Sequence, residues 1–319
     1  MSDLTVVIPL HNGARYITRT LEGLAAQTAQ PAEVIVIDDA STDGGDAIAE
    51  SFRLPDGSSP TIVRHERPLG VAVSRNHGAF LARTTWIGFC DNDDVWHPQH
   101  VETIFRLAAD HPDSGAIGTH AVGFALEEER SDLHGHQRFG LVDHWVADDR
   151  LETLATLSLT HGGTVRRLRF EDFQQATCML TTTACFRRDL YAYAGGNATW
   201  SPTLGDWAAN ATVALLSPIV VVQDAPVFYR VRAASQSHRD EALAWGAFAI
   251  LLGLRYGCGR DPRPAGLIYR HMLGIGARNG FTAREVLGLA LLGGVGSRET
   301  AAQMKAILKR SRNRGPAVN

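Results

Sequence analysis

The sequence predicts an α/β fold: a mostly parallel, Rossmann-like central sheet flanked by helices, followed by a helical C-terminal subdomain. Three observations carry this. Near-continuous runs of β-branched and aliphatic residues recur through the first hundred positions. Segments of helical periodicity separate them, and polar clusters follow the runs. Strands apolar on both faces and joined by helices belong to parallel sheets covered on both sides.

The first run, Leu4 to Pro9, reads as a buried strand, and "HNG" turns the chain. From Ala14 to Gln27, Ile17, Leu21 and Leu24 recur at helical spacing and form one apolar face. Glu33 to Asp39 is a second strand ending in two carboxylates, and the Gly-rich "ASTDGG" leads into a short helix. A strand at Thr61 to Arg64, a helix at Val71 to Arg83, a strand at Trp86 to Cys90 and a helix after Pro98 complete this half. Between Ala121 and Phe170 the pattern weakens, and "EEERSDLHGHQRFG" reads as an exposed loop. Order returns at "ATCMLTTTACFRRDLYAYAGG", then "SPTLGDWAANATVALL" and the strand-like "PIVVVQDAPVFYRV". Helical segments follow at 238–256, 264–278, 282–293 and 297–311, which places a boundary near residue 237. The expected organisation is therefore residues 1–237 as one domain, divided near residue 120, and 238–319 as a helical region.

Composition narrows the class. With 45% hydrophobic and 20% charged residues the chain is globular rather than disordered, and a net charge of -3 gives no basis for nucleic-acid binding. Four cysteines without a CxxC pair argue against a disulfide framework or structural zinc and fit a reducing compartment. The start "MSDLTVVIPL" lacks the pattern of a secretory signal, so the expected location is cytoplasmic. The apolar stretch Val286 to Gly296 is too short to span a bilayer. The basic run "KAILKRSRNRG" reads first as a solvated helix end, with peripheral contact to an anionic membrane or acceptor as the minor alternative.

The chemistry concentrates at strand ends, where open sheets of this type bind ligands. His11 and Asn12 follow the first strand, Asp38 and Asp39 end the second, and Asp91, Asn92, Asp93 and Asp94 follow the fourth. Adjacent carboxylates repel, so such a cluster is either a solvated turn or a place where a cation supplies the missing charge. A twelve-residue calcium loop is excluded because Trp96 stands where the turn needs Gly and Val95 where a ligand is needed. Position after a buried strand favours a divalent cation, Mg2+ or Mn2+, held by one or two carboxylates and substrate phosphates. His97 and His100 read as an exposed first turn of the following helix rather than as ligands.

The stretches "VVIPLHNGARYITRTLEGLAAQT", "EVIVIDDASTDGG", "GVAVSRNHGAFLARTTWIGFCDNDD" and "LGDWAAN" occur in the order of a known family. Over residues 4–237 the chain resembles the inverting, GT-A fold glycosyltransferases of family 2. The resemblance implies a metal-dependent enzyme that moves a sugar from a nucleoside diphosphate, UDP in first expectation, to an acceptor hydroxyl. It also implies roles for single residues. Pro9, His11 and Asn12 would floor the nucleotide base, although an aromatic carbocycle is more usual at His11. Asp39 would meet the base or ribose and Arg75 the base or a phosphate. Asp91, Asn92 and Asp93 form the DxD turn, with Asp93 as metal ligand and Asp91 near the ribose or metal. Asp206 would be the catalytic base, with Gly205 replacing the first acid of the family's pair; the competing reading makes Asp206 a helix cap. Arg230 and the "AASQSH" segment match a loop that closes over the diphosphate, with His238 as a further metal or phosphate contact or, more simply, an exposed His. Trp207 would stack on the acceptor sugar or pack in the core.

Two other classes stay open. A sugar-nucleotide-binding protein that has lost transfer would also keep the donor motifs, and Gly205 hints at it. A dinucleotide-dependent oxidoreductase is disfavoured because "LHNGAR" follows the first strand in place of GxGxxG. The acceptor is not readable, nor is the oligomeric state, though the apolar C-terminal segments could pack on a second copy.

Overall fold

A computed structural model of the chain describes residues 2–134, 141–147, 154, 163–173, 179–199, 205–224 and 226–232. The chain divides into two compact units, one of Met1–Phe170, Thr177–Thr199 and Gly205–Ser235 and one of Glu171–Ala176, Trp200–Leu204 and Gln236–Asn319. The described residues lie almost wholly in the first. The helices anticipated beyond residue 237, the basic run at 305–315 and His238 fall outside them.

Continuous burial from Leu4 to Leu10 makes β1 (Ser2–Leu10) the central strand of an eight-stranded sheet. α1 (Ile17–Ala25) lays Ile17, Leu21 and Leu24 on it, as the spacing requires. β2 (Pro31–Asp38) follows, then α2 (Gly45–Ser51), β3 (Thr61–Arg64), α3 (Val71–Leu81) and β4 (Trp86–Phe89). β3, β2, β1 and β4 stand side by side and parallel, which aligns their carboxyl ends on one edge. The predicted boundaries of these elements hold to within three residues or so.

After β4 come β5 (Val95–Trp96), α4 (His100–Asp110), β6 (Ala116–Gly118) and β7 (Ala121–Leu126). Where a loop is expected, a 3-10 turn at Glu127–Glu129 runs into α5 (Arg130–Leu133), and β8 (His144–Val146) and β9 (Val165–Leu168) follow. These strands are three to six residues long and carry no sustained alternation, so periodicity does not reveal them. α6 (Phe170–Phe173), a 3-10 turn at Thr181–Thr183, β10 (Ala184–Arg187), α7 (Arg188–Tyr193) and α8 (Gly205–Leu216) lead to β11 (Ile219–Val222) and β12 (Val227–Arg230).

The sheet is mixed rather than mostly parallel beyond β4. β10 runs antiparallel between β4 and β6, β11 is parallel to β6, and β9 is antiparallel to β11 at the edge. The single stretch "PIVVVQDAPVFYRV" also splits. β11 stays in the large sheet, whereas β12 enters a second sheet of order β5-β12-β7-β8, because Pro226 lacks the donor that would continue a ladder. β12 pairs antiparallel with β5, setting Val227 opposite Trp96 and Phe228 opposite Val95. That pairing brings the end of β12 to the acidic turn before β5.

Among the described residues no helix is long and apolar enough to cross a membrane. Core packing is close where α3 meets β1: a Cβ at Gly78 would lie 2.2 Å from Val7 Cγ1. The substitution Gly78→Ala is therefore expected to lower the free energy of unfolding by about 1–3 kcal/mol, the usual cost of an overpacked core. Urea denaturation with an unchanged slope checks this, and a variant as stable as the wild type contradicts the close approach.

Candidate active site

Two loops build the floor of the carboxyl edge. Asn12 has φ 50°, a left-handed conformation that Asn tolerates better than most residues. There its Oδ1 accepts from the Thr42 amide at 2.9 Å, and its own amide donates to Ser41 Oγ at 3.0 Å. The Ala14 amide donates to Asp43 Oδ2 at 2.8 Å, and His11 Nδ1 lies 2.7 Å from the Asp39 carbonyl. The two loops are thus joined at three successive points. Gly13 is required for a further contact: a Cβ there would fall 1.7 Å from Asn92 Nδ2, so the glycine admits the Asn92 amide against the first loop.

Asp39 closes the segment ahead of α3. Its Oδ1 accepts from the Leu69 amide at 2.8 Å and contacts His65 Nδ1 at 2.8 Å, and its Oδ2 accepts from the Gly70 amide at 2.8 Å. Burial works to raise its pKa, but the bonds from His65, Leu69 and Gly70 outweigh it and hold the carboxyl below its ordinary value. Beyond it, His65 Nε2 and His77 Nδ1 are 3.0 Å apart with nearly parallel rings. The carboxylate therefore organises its own surroundings, with two contacts on Oδ1 and one on Oδ2.

The acidic turn is closed by the Asp94 amide, which donates to the Asp91 carbonyl at 3.0 Å. Its three carboxylates point to three different partners. Asp91 Oδ1 takes Arg75 Nη2 at 2.6 Å. Asp93 Oδ2 takes Arg232 Nη2 at 2.5 Å. Asp94 is fully buried: its Oδ1 accepts from the Arg230 amide at 2.9 Å, and its carbonyl accepts from Thr20 Oγ1 at 2.9 Å. Burial, then the charges of Asp93 and Asp91, push Asp94 well above the ordinary carboxylate range. Asp93 is raised by burial and by Asp91, with Arg232 and Arg230 opposing. The same environment drives the Cys90 thiol upward, which leaves it inert.

Arg75 links this turn to Asp206. Burial favours loss of its proton, but the charges of Asp91 and Asp206 outweigh that, and the guanidinium stays charged. Asp206 lies in the first turn of α8, where its Oδ2 accepts from Thr181 Oγ1 at 2.6 Å and its Oδ1 from the Trp207 amide at 2.9 Å. Gly205 has a steric reason: a Cβ there would stand 2.7 Å from the Ala198 carbonyl, so a second acid would not fit this arrangement.

Other residues depart from expectation. His97 and His100 are not exposed; they are 5% and 0% exposed, and the His100 ring packs 4.3 Å from that of Trp96. Pairing of β5 with β12 draws this turn into the interior, which local sequence does not announce. Trp207 is 1% exposed, so its indole fills the core beside Asp206 and does not face a sugar. Pro9 is buried within β1 as the floor of the first loop. The Arg230 guanidinium, 2% exposed, is enclosed between the rings of Tyr16 and Phe124 at 4.7 and 4.9 Å. Arg232, Thr181 and His65 are absent from the sequence reading. Only Arg232 had a signal there, since "YRVR" places it two residues beyond Arg230 and hence on the same face.

The donor set suits a hard divalent cation, because it offers carboxylate oxygens whose mutual repulsion such an ion relieves. Among the described residues no three His, Cys, Asp or Glu side chains gather to hold a metal unaided. Asp93 and Asp91 would hold it jointly with phosphate oxygens, and on Asp93 it would meet Arg232.

A mixed α/β sheet flanked by helices, with its polar clusters at the carboxyl edge of the parallel strands, is the GT-A class of fold. The Glycosyl transferase family 2 profile matches residues 5–192, and the chain belongs to this family. It is 30% identical over 121 residues to "Glycosyltransferase GlyG" of Streptococcus pneumoniae, 38% of this chain and 40% of that protein. It is 32% identical over 106 residues to "Succinoglycan biosynthesis protein ExoO" of Rhizobium meliloti, 33% of this chain and 30% of that one. These matches span well under half of the relatives' length. In fold it is similar to S. aureus TarS 1–349, with TM-score 0.67 at 16% identity over 99% of this chain and 93% of that one. TarS has also been solved in complex with UDP-GlcNAc, a structure similar at TM-score 0.59 and 15% identity over 97% of this chain and 91% of that one.

The substitution Asp39→Asn is expected to lower stability at neutral pH by about 1.5–3 kcal/mol, the scale for hydrogen bonds to a charged group. Because the folded pKa is depressed, the contribution is complete above the ordinary value of about 3.9 and fades as pH falls through the lower folded value. The gap between variant and wild type in chemical denaturation should therefore narrow in acid. A gap independent of pH contradicts the charge-assisted role.

Proposed function

We propose that the chain is an inverting, metal-dependent glycosyltransferase that moves a sugar from a nucleoside diphosphate, UDP foremost, to an acceptor hydroxyl. The observation that carries this is Arg75: one buried guanidinium bonds Asp91 of the DxD turn and feels the charge of Asp206. Donor turn and basic carboxylate thus belong to one electrostatic unit. Family membership supports sugar transfer, and the UDP-GlcNAc complex of TarS supports a uridine donor.

In this reading Pro9, His11 and Asn12 support the base, Asp39 offers its remaining lone pair to base or ribose, and Asn92 lines the turn beside them. The acceptor oxygen bonds to the anomeric carbon from the face opposite the diphosphate. As it does, the bond from that carbon to the diphosphate oxygen breaks and the electron pair leaves with the diphosphate. The acceptor's proton passes to Asp206, whose two oxygens are oriented by Thr181 and the Trp207 amide. A divalent cation on Asp93 and Asp91 would neutralise charge on the diphosphate as it departs. Arg75, whose Nε has no hydrogen-bond partner among the described residues, holds a donor in reserve for the leaving group. Residues 1–120 serve the donor and 121–237 the acceptor.

Calorimetric titration with UDP, GDP, dTDP and CDP, in Mn2+ and then in excess chelator, tests the donor site. Binding of one nucleotide that collapses with the chelator is expected; no binding in either condition overturns the assignment. Asp206→Asn should keep donor affinity while turnover of a labelled donor falls at least about a hundredfold, the scale of a lost general base. Near-normal turnover rules Asp206 out as the base. Donor binding without turnover in the wild type, with any acceptor class, would favour a binding protein.

A further inference from the structure

Two arginines leave β12 on one face and meet the acidic turn, but they are held very differently. Arg230 is enclosed: its guanidinium lies between Tyr16 and Phe124, its Nε donates to the Asp93 carbonyl at 3.3 Å, and its Nη1 is 3.9 Å from Glu129. It cannot move without opening the core. Arg232, two residues on, is 31% exposed; it packs one face on Tyr16 at 4.9 Å, shares a hydrogen bond with the Tyr16 side chain and feels the charge of Glu129. Its Nη2 sits on Asp93 Oδ2, the oxygen that the proposed metal would use. A monovalent cation on a solvent-reachable side chain and a divalent ion thus compete for one carboxylate.

We infer that Arg232 is an exchangeable counter-cation for Asp93, which yields the carboxylate to a divalent cation and turns to the nucleotide's diphosphate when metal and nucleotide arrive together. The inference rests on the proposed donor site and deepens it. Its physical basis is charge balance. Asp91 is paired with Arg75, whose side chain is 10% exposed, and Asp94 with a main-chain amide, whereas the partner of Asp93 is the 31% exposed side chain of Arg232. Metal without nucleotide must break the Arg232–Asp93 pair and strand a guanidinium beside a dication. Metal with a diphosphate gives that guanidinium a new anion at hydrogen-bonding distance. Metal and nucleotide therefore bind with positive coupling, and Arg232 carries that coupling.

The test is the affinity of the full chain for Mn2+ alone, read from the electron paramagnetic resonance signal of the free ion, and for UDP in saturating Mn2+. For Arg232→Gln the two should move in opposite directions: Mn2+ alone binds about tenfold tighter and UDP with Mn2+ about tenfold weaker, within the usual range of coupling between sites. Arg232→Lys, which keeps the charge, should restore most of the wild-type pattern. An Arg232→Gln protein whose Mn2+ affinity is unchanged overturns the exchange, as does one weakened for both ligands, since a merely structural arginine would do that. Failure of the wild type to bind any nucleotide would instead sink the donor-site reading, and the Mn2+ comparison would still decide whether Arg232 guards Asp93.

Discussion

Three carboxylates at the end of one buried strand cannot be kept there without positive charge, and that requirement organises the first unit. Asp91 and Asp93 draw on arginines from two distant segments, Arg75 on α3 and Arg230 and Arg232 at and just beyond the end of β12, whereas Asp94 takes the Arg230 main-chain amide and is pushed toward its neutral form. The small sheet exists in the right place for this purpose. Pairing of β12 with β5 lets a backbone amide meet Asp94 and a guanidinium meet Asp93. Asp94 is the structural member of the cluster. It is buried, with its Oδ1 and its carbonyl bonded, while Asp91 and Asp93 are partly exposed.

Close approach is the second recurrent device. Gly13 lets the Asn92 amide touch the first loop, Gly78 lets α3 lie on β1, and Gly205 lets α8 start against the Ala198 carbonyl. Each marks a place where a methyl group would separate two pieces of the site. Gly205 is the most informative, because the missing second acid has a steric cause and Asp206 keeps its Thr181 and Trp207 contacts without it.

The first hundred residues were legible because their elements are long enough to show a period, and because the parallel strands put every motif at the same edge. The segment from Ala121 to Phe170 was not. Its strands have three to six residues and pair across large sequence separations, so neither length nor alternation announces them. His97 and His100 illustrate the same limit at the scale of side chains. Their sequence neighbours suggest an exposed helix start, but His97 packs against Phe228 of β12 and His100 against Trp96. Trp207 resolves similarly: a residue beside a proposed base is open to two readings until its burial is known.

The sequence by itself determined the class of fold, the edge of the sheet that carries the chemistry and the identity of the carboxylates there. These follow from local periodicity and from residues adjacent in the chain. Only the tertiary structure decided which cation meets which carboxylate, that Arg232 and not the enclosed Arg230 reaches Asp93, and that Thr181 and Arg75 hold Asp206 in the same field. Those pairings join residues up to more than a hundred positions apart, such as Asp93 and Arg232. Charge pairing over such distances leaves no local pattern, because it depends on where short strands pair and on which side chains the core encloses.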